Sequence, residues 1–208
     1  MEWHTTDAQS LRLIAQEIGE HRISPAEYEI VRRAIYATAD FEYKEHIRFS
    51  DHALQSGAAA LAARSTVIVD VTMVQVGISN VIQRTFANPV YCSMDTVTRP
   101  QRSKSRSAWG IETLSERYPE AIFIVGQSQT ALLSLIELIE KDKIRPALVI
   151  GTPANFLGID ALGERFHNTS VPHIRITGRK GSVVVAVSLM NGLVDLAWQA
   201  YGRDAHNI

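Results

Sequence analysis

Short apolar runs, rich in β-branched residues, alternate with segments of helical periodicity along most of the chain. The runs are four to six residues long and stand at 66–71, 89–92, 121–125, 147–150 and 173–176. Strands that are largely apolar, rather than alternating polar and apolar residues, are typical of a parallel sheet covered on both faces. Between them, residues 106–117 and 130–141 have the apolar spacing of helices. The pattern therefore predicts an α/β fold, a three-layer α/β/α sandwich with a mostly parallel sheet.

Both ends of the chain are predicted to be helical. Apolar residues recur at helical spacing over 11–18, and a second helix is expected to begin at Ser24-Pro25-Ala26-Glu27. There, Ser24 can cap the helix, proline suits its first position and Glu27 completes a capping box. Further helices are predicted at 51–63 and 183–198. Because no repeat or Pro/Gly-rich linker interrupts the pattern, we expect 1–208 to form a single domain with N-terminal helices at about 7–43.

The composition argues against several classes of protein. Hydrophobic residues make up 46% of the chain and the net charge is -1, so a disordered chain is not expected and no global field attracts nucleic acid or an anionic membrane. Residues 1–7 lack the pattern of a signal peptide, and no apolar stretch is predicted to be long enough to span a bilayer. Cys92 is the only cysteine. A single thiol forms no internal disulfide, so we expect a cytoplasmic protein.

Small and polar residues follow three of the predicted strands. Gly126-Gln127-Ser128-Gln129-Thr130 follows the first, 151–156 the second, and Thr177-Gly178-Arg179-Lys180-Gly181-Ser182 the third. Backbone N–H groups at such a helix start can bind an anion, although for the first loop alone an ordinary helix cap at Ser128 is the favoured interpretation. Because ligands of α/β sheets bind at the carboxyl ends of the strands, three such loops predict a small polyanionic ligand.

Other kinds of site have little support. The sequence contains neither a G-x-G-x-x-G after a strand nor a Walker-type phosphate loop, and its histidines form no zinc pattern, so no cofactor or metal is expected. Cys92 is interpreted as a small core residue. The basic segment 99–106 is open to two interpretations, a solvated loop or a ligand-facing loop.

Several segments, in the correct order, resemble the precorrin-8X methylmutases. The first is Arg33-Ala34-Ile35-Tyr36-Ala37-Thr38-Ala39-Asp40-Phe41-Glu42-Tyr43, in which members of the family usually have a histidine where Tyr36 stands. The other matching segments are Ile47 to Ser50, Val69 to Val74 with Gly77-Ile78, Ser105 to Ala108, Gly126 to Leu132, Gly151 to Pro153 with Phe156 and Gly158, and Gly178 to Ser182. Together they cover about 23–196.

The resemblance implies a specific reaction. These isomerases of cobalamin biosynthesis move one methyl group from carbon 11 to carbon 12 of ring C of precorrin-8X, or of its cobalt form, and need no redox cofactor. The products are hydrogenobyrinic and cobyrinic acid. The family fold is the sandwich predicted above, usually in a homodimer with sites near the interface. The substrate carries many carboxylates, which agrees with the loops inferred independently.

The resemblance also assigns roles to residues. Tyr36 takes the position of the general acid, and Arg106 would lie near the reacting ring or pair with a substrate carboxylate. The remaining substrate-binding candidates are Met73, Ser128, Thr130, Gly178, Arg179, Gly181 and Ser182. Arginine suits carboxylates because its planar fork binds them bidentately.

Two residues depart from the family pattern. Thr72 stands where the family often has glutamate, and Tyr36 replaces the histidine. A phenol titrates near ~10 and an imidazole near ~6.5, so Tyr36 is neutral at cellular pH and a weaker proton donor. His46 and His52 are candidates to supply an imidazole instead. Three hypotheses follow: an active methylmutase using Tyr36, a tetrapyrrole-binding protein without catalysis, or an unrelated α/β binding domain. The presence of cobalt in the substrate is left open.

Overall fold

A six-stranded sheet forms the centre of the computed structural model, which describes residues 5–96, 103–156 and 159–202. Its strand order is β1-β6-β5-β4-β2-β3. The strands are β1 Ile47–Phe49, β2 Val67–Val69, β3 Val90–Cys92, β4 Ile122–Val125, β5 Leu148–Gly151 and β6 His173–Ile176. All neighbouring strands pair in parallel except β1, which runs antiparallel to β6 at the edge of the sheet.

Helices cover both faces of this sheet. The helices are α1 Thr5–Glu17, α2 Pro25–Thr38, α3 Tyr43–His46, α4 Ala53–Ala62, α5 Thr72–Gln83, α6 Ser93–Thr96, α7 Arg106–Arg117, α8 Gln129–Glu140, α9 Ile159–His167 and α10 Val183–Tyr201. One layer contains α2, α4, α5 and α10, with α1 packed on α2, and the other contains α7, α8 and α9.

The side chains of the central strands divide between two hydrophobic cores. Ile122 and Ile124 face the layer of α10, whereas Phe123 and Val125 face the layer of α7 and α8. All four are fully buried. This arrangement confirms the predicted three-layer sandwich and explains why the strands are apolar on both sides.

Local signals predicted several elements accurately. Ser24 caps α2, and its capping box with Glu27 is formed on both sides. The predicted bounds of α7 and β6 are those observed. The pattern missed β1, α5 and α9. Helix α5 was missed because of its composition. In the run Val69-Asp70-Val71-Thr72-Met73-Val74, β-branched residues, which favour strands, continue beyond the end of β2 into the helix.

The expectation that no apolar stretch is long enough to span a bilayer is wrong for α10. This helix has 19 residues and meets the length and composition of a membrane span, with 56% of that span buried inside the protein. It packs against α2, α4 and α5. A buried ion pair at 2.5 Å joins Asp195 on α10 to Arg33 on α2. The apolar composition of α10 therefore fits the central helix of its layer.

Candidate functional site at the carboxyl edge of the sheet

Four segments meet where the parallel strands end. These are 105–107 at the start of α7, 126–130 after β4, 152–155 after β5 and 177–182 after β6. Hydrogen bonds join each segment to the next, namely Ser105 Oγ to Thr130 Oγ1 at 2.7 Å, Gln129 Nε2 to the Ala154 carbonyl at 2.5 Å, and the Asn155 N–H to the Arg179 carbonyl at 3.2 Å. Four of the segments that resemble the family are thus joined to one another at this edge.

The backbone N–H groups of the first loop already bind an anion, which is the carboxylate of Asp70. Gly126 donates to Oδ1 at 3.0 Å, and Gln127 and Ser128 donate to Oδ2 at 2.8 Å each. Asp70 is fully buried directly after β2. The expectation that these N–H groups are open to a ligand is therefore wrong, because an internal carboxylate satisfies them.

Ser128 is an N-cap, as the simpler interpretation predicted. Its Oγ accepts from the N–H of Ala131 at 3.1 Å and from the hydroxyl of Ser107 at 2.8 Å. Thr130 Oγ1 lies 3.0 Å from the same oxygen. The groups left exposed here are the hydroxyls of Thr130 and of neighbouring Ser105, rather than the backbone donors that Asp70 occupies.

The loop after β6 needs its glycines. Gly178 and Gly181 have φ values of +73° and +149°, which side chains rarely adopt. A Cβ on Gly181 would lie 2.5 Å from the Thr152 carbonyl oxygen. Ser182 caps α10 by accepting from the Val185 N–H at 3.4 Å. Between them, the Arg179 side chain is exposed.

Lys180 ties this loop to the segment that carries Tyr36. Its Nζ lies 2.5 Å from Asp40 Oδ2 and 2.6 Å from Glu42 Oε2. Hydrogen bonds to Asp40 and Glu42 raise the pKa of Lys180, and the bond from Lys180 lowers the pKa of Asp40. Sequence reasoning missed this bridge, since the charges of Asp40 and Lys180 are 140 residues apart.

Tyr36 lies in the last turn of α2 and its side chain is 39% exposed. Its hydroxyl donates to Asp7 Oδ1 on α1 at 2.7 Å. This hydrogen bond raises the pKa of Tyr36, and desolvation and the charge of Asp7 act in the same direction. The phenol is therefore held in its neutral form, as expected from the sequence, with a carboxylate as its acceptor.

Exposed arginine and apolar side chains surround this edge. Arg106 is exposed at the first position of α7, where a cation gains nothing from the helix dipole. Met73 and Val184, at the starts of α5 and α10, are 60% and 49% exposed, and Phe156 is 69% exposed. Apolar side chains left in contact with water beside cationic groups are typical of a ligand surface.

The two candidate histidines lie at opposite ends of strand β1. Because β1 is antiparallel, His46 at its start meets the carboxyl end of β6, with Nδ1 3.2 Å from Thr177 Oγ1 and Nε2 3.8 Å from Glu42 Oε2. His52 follows the other end of β1 and lies 2.9 Å from Gln55 Oε1. Of the two, His46 is placed to serve this site and His52 is not.

The structure describes Cys92 and part of the basic segment 99–106. Cys92 is a buried core residue, and burial raises the pKa of its thiol. In the basic segment 99–106, Lys104 pairs with Glu112 at 2.5 Å, while 99–102 lie outside the described residues. Gly158 also lies outside them. Within the part of the chain that the structure describes, no three His, Cys, Asp or Glu side chains are grouped to hold a metal ion.

Comparisons with known proteins agree on one family. The family model described as precorrin-8X methylmutase matches residues 6–196. A cobalt-precorrin-8 methylmutase of Synechocystis sp. is 36% identical, over 94% of this chain and 97% of that protein. A precorrin-8X methylmutase of Pseudomonas aeruginosa is 30% identical, over 81% of this chain and 84% of that protein. The crystal structure of precorrin-8X methylmutase from Thermus thermophilus has a TM-score of 0.85 and 34% identity, and covers 95% of this chain and 99% of that one.

Proposed function

Because the chain belongs to the precorrin-8X methylmutase family, we propose that it is an isomerase of cobalamin biosynthesis that moves a methyl group on a corrin ring. The methyl leaves carbon 11 and is bonded to carbon 12 of ring C, in precorrin-8X or cobalt-precorrin-8. One carbon–carbon bond breaks, another forms and the conjugated double bonds shift. The reaction is an intramolecular rearrangement, so it requires no external oxidant or reductant.

The observation that carries this proposal is the hydrogen-bonded surface at the carboxyl edge. Its exposed apolar side chains, Met73, Phe156 and Val184, suit the flat face of a macrocycle. Arg106 and Arg179 are exposed at its two ends and suit the carboxylates around the rim of such a ring. Ser128, Thr130, Gly178, Gly181 and Ser182 shape the loops between them.

Tyr36 is proposed to donate a hydrogen bond to the ring C region in the rearranging substrate. Its phenol is neutral and partly exposed, and Tyr36 lies four residues before Asp40, which pairs with Lys180. To reach a substrate it must share or leave its bond to Asp7. A positioned proton donor contributes roughly 10²–10⁴-fold to rate, and a phenol, as the weaker acid, is expected to supply the lower part of that range.

We further propose a cytoplasmic homodimer, built from chains that each fold as one domain. The family resemblance supports the dimer, and so does the exposed Val76, which is 69% exposed on the same helix as Met73. A partner chain covering that helix would enclose the open carboxyl edge. Light scattering at micromolar concentration tests the dimer, with a monomer mass as the contrary result.

Turnover of precorrin-8X and cobalt-precorrin-8, followed by the change in absorbance, tests the activity. We expect wild type to convert at least one of them, Tyr36→Phe to lose roughly ten-fold or more in kcat, and Tyr36→His to gain at pH values where imidazole is protonated. The relatives carry both names, so both substrates are needed.

Two results separate the competing hypotheses. An inactive wild type that binds hydrogenobyrinic acid, with activity gained in Tyr36→His, supports a binding protein without catalysis. A wild type that neither turns over nor binds corrinoids at micromolar concentration contradicts the family function altogether. His46→Gln is the companion variant, and a loss of kcat in His46→Gln with none in Tyr36→Phe would make the imidazole, rather than the phenol, the proton donor.

A further inference from the structure

Two arginines stand directly opposite each other at the edge of the sheet. Arg48 in β1 and Arg175 in β6 are cross-strand partners in the antiparallel pair. Side chains so paired lie on the same face, with Cβ atoms about 5 Å apart, and like charges in this position are unfavourable. Neighbouring Ile174 packs into the core on the other face, so the Arg175 side chain leaves the sheet on the side of α9 and lines a cavity with residues of that helix.

Among the residues that the structure describes, no acidic side chain pairs with Arg175. Within the described residues it forms no ion pair within 4 Å, and Arg48 donates only to the carbonyl of Ile47, at 2.9 Å. Burial, together with the charge of Arg48, lowers the pKa of Arg175. An arginine remains charged at neutral pH, so this half-buried cation is held at a cost that an anion would relieve.

A cavity of about 190 Å³ adjoins this cation. Its polar lining comes from Asn155, Glu164, His167, Arg175, Thr177 and the backbone of Gly178. Glu164 is the acidic residue of the lining, and it lies on the exposed side of α9. The cavity is too small for a tetrapyrrole ring, since drug-sized ligands already occupy ≈ 300–1,000 Å³. It is large enough for a carboxylate on a short alkyl arm.

The cavity adjoins the loop that forms one end of the proposed macrocycle surface. Its lining residues Thr177 and Gly178 begin the loop that carries Arg179, and Asn155 donates its N–H to the Arg179 carbonyl at 3.2 Å. A ring lying on the carboxyl edge can therefore direct one of its peripheral arms past Gly178 toward the cation.

We propose that Arg175 and the cavity beside it bind one peripheral carboxylate, an acetate or propionate arm, of the corrin ring. The inference rests on the proposed function and adds a binding site to it. The guanidinium fork of Arg175 can donate two parallel hydrogen bonds to a carboxylate. Arg175 is a specificity residue in this proposal, since it is remote from the reacting carbons and distinguishes charged from amidated arms.

The test compares dissociation constants for hydrogenobyrinic acid and for the same ring with its carboxylates converted to amides. Wild type is expected to prefer the acid, and Arg175→Gln to weaken acid binding by roughly ten- to hundred-fold while leaving the amide unchanged. Arg175→Lys keeps the charge without the fork and should lie between them. Arg145→Gln is the matched control, because Arg145 is 80% exposed and pairs loosely with Asp142 at 3.8 Å.

Several outcomes would contradict the carboxylate site. Equal loss of both ligands in Arg175→Gln, or no loss of the acid, overturns the carboxylate site. Phosphate and propionate are each titrated against the Arg175 side-chain N–H signals. If phosphate alone perturbs them and Arg175→Gln leaves corrinoid binding intact, the site takes free anions and the proposal is wrong. Turnover by wild type is measured separately. If Arg175→Gln contradicts the carboxylate site while wild type turns over, the proposed isomerase function still stands. If wild type neither turns over nor binds corrinoids, the proposed function itself is wrong.

Discussion

The hydroxyl of Tyr36 donates a 2.7 Å hydrogen bond to the carboxylate of Asp7, so the first helix supplies the acceptor for the proposed proton donor on the second. This hydrogen bond has two opposing effects on the phenol. It fixes the phenol in its neutral, proton-bearing form, and it holds that proton away from a substrate. The pair therefore sets how acidic the phenol is, and a change at Asp7 is felt at Tyr36 without altering the phenol itself.

Asp7→Asn is expected to lower the pKa of Tyr36 toward its ordinary value. An amide oxygen still accepts the bond, but it no longer carries the negative charge that disfavours phenolate. The ultraviolet absorbance of phenolate, with the Tyr36→Phe spectrum subtracted, measures this pKa. Because the pKa of Tyr36 is raised, its hydrogen bond stabilises the fold fully at pH values below about 10, the ordinary pKa of a phenol. That contribution is lost as the pH rises through the pKa of Tyr36 in the folded state.

The same variant should raise kcat by about five-fold. Hydrogen bonds to charged acceptors are stronger than neutral ones by roughly 1 kcal/mol, which is the difference that a substrate would no longer have to overcome. Asp142→Asn, on an 80% exposed side chain far from the site, is the control. A kcat that falls as far as in Tyr36→Phe would mean that Asp7 takes part as a charge, and the proposed role of the pair would be wrong.

Lys180→Gln is expected to release the Tyr36 segment from the loop after β6. The pKa of the Asp40 carboxyl should then rise toward its ordinary value, because the bond from Lys180 is the main cause of its lowering. Carboxyl NMR titration of Asp40 measures that change. In wild type the bridge persists above the ordinary carboxyl pKa and is lost as pH falls through the lowered value of the folded state.

The value of kcat/KM should fall in this variant, by up to roughly 10²-fold, because misplacement of a reacting group by about 1 Å costs that much in rate. Lys141→Gln removes an equivalent charge from a loose 3.8 Å pair with Glu137 and should have no effect. If Lys180→Gln changes the Asp40 titration but not kcat/KM, the bridge has no positioning role.

Asp70→Asn is expected to destabilise the protein by roughly 2–4 kcal/mol. The buried carboxylate accepts three backbone hydrogen bonds, and an amide in its place offers one acceptor oxygen and turns its NH₂ toward the other donors. Urea unfolding measures the loss. Asp51→Asn, on an exposed residue at the opposite edge, should change stability by less than about 0.5 kcal/mol. Equal stability of the two variants would contradict the role assigned to Asp70.

Breaking the ion pair between α2 and α10 should cost about 3–5 kcal/mol. In Asp195→Leu the Arg33 guanidinium, whose side chain is 13% exposed, is left buried without its carboxylate. The double variant Arg33→Met, Asp195→Leu should regain most of that loss, since it removes both charges. Thermal or urea unfolding of the two variants tests this. A double variant less stable than the single one would show that the pair contributes more than charge compensation.

The parts of the fold that were predictable are those fixed by neighbouring residues. The capping box at Ser24 and Glu27 and the apolar strand β4 depend on local sequence, and both were predicted. Strand β1 has three residues and forms only by pairing with β6, so no local pattern marks it. Helix α9 differs, because Leu162 and Phe166 stand four residues apart on its core face, a helical spacing that the sequence-based prediction did not use.

The site was predictable in outline and not in its internal contacts. The strand-end glycines located the loops, because parallel strands bring their carboxyl ends to one edge. That Asp70 fills the first loop depends on the register of β2 against β4, and the Lys180 bridge depends on the whole fold. The roles of Tyr36, Arg106, Met73 and Arg179 toward a substrate remain predictions.

The pairing of β1 with β6 also constrains how the protein is made. Ile47 emerges from the ribosome long before its partner Ile176, and at the ordinary rate of ≈ 5–20 residues/s the delay is roughly 6–25 s. Through that interval β1 has no strand beside it. The hydrogen bond from Thr177 to the His46 carbonyl and the ion pair between Lys180 and Asp40 also cannot form until Thr177 and Lys180 have been made. The region around Tyr36 is therefore completed only near the end of synthesis, when nearly the whole chain is available to fold.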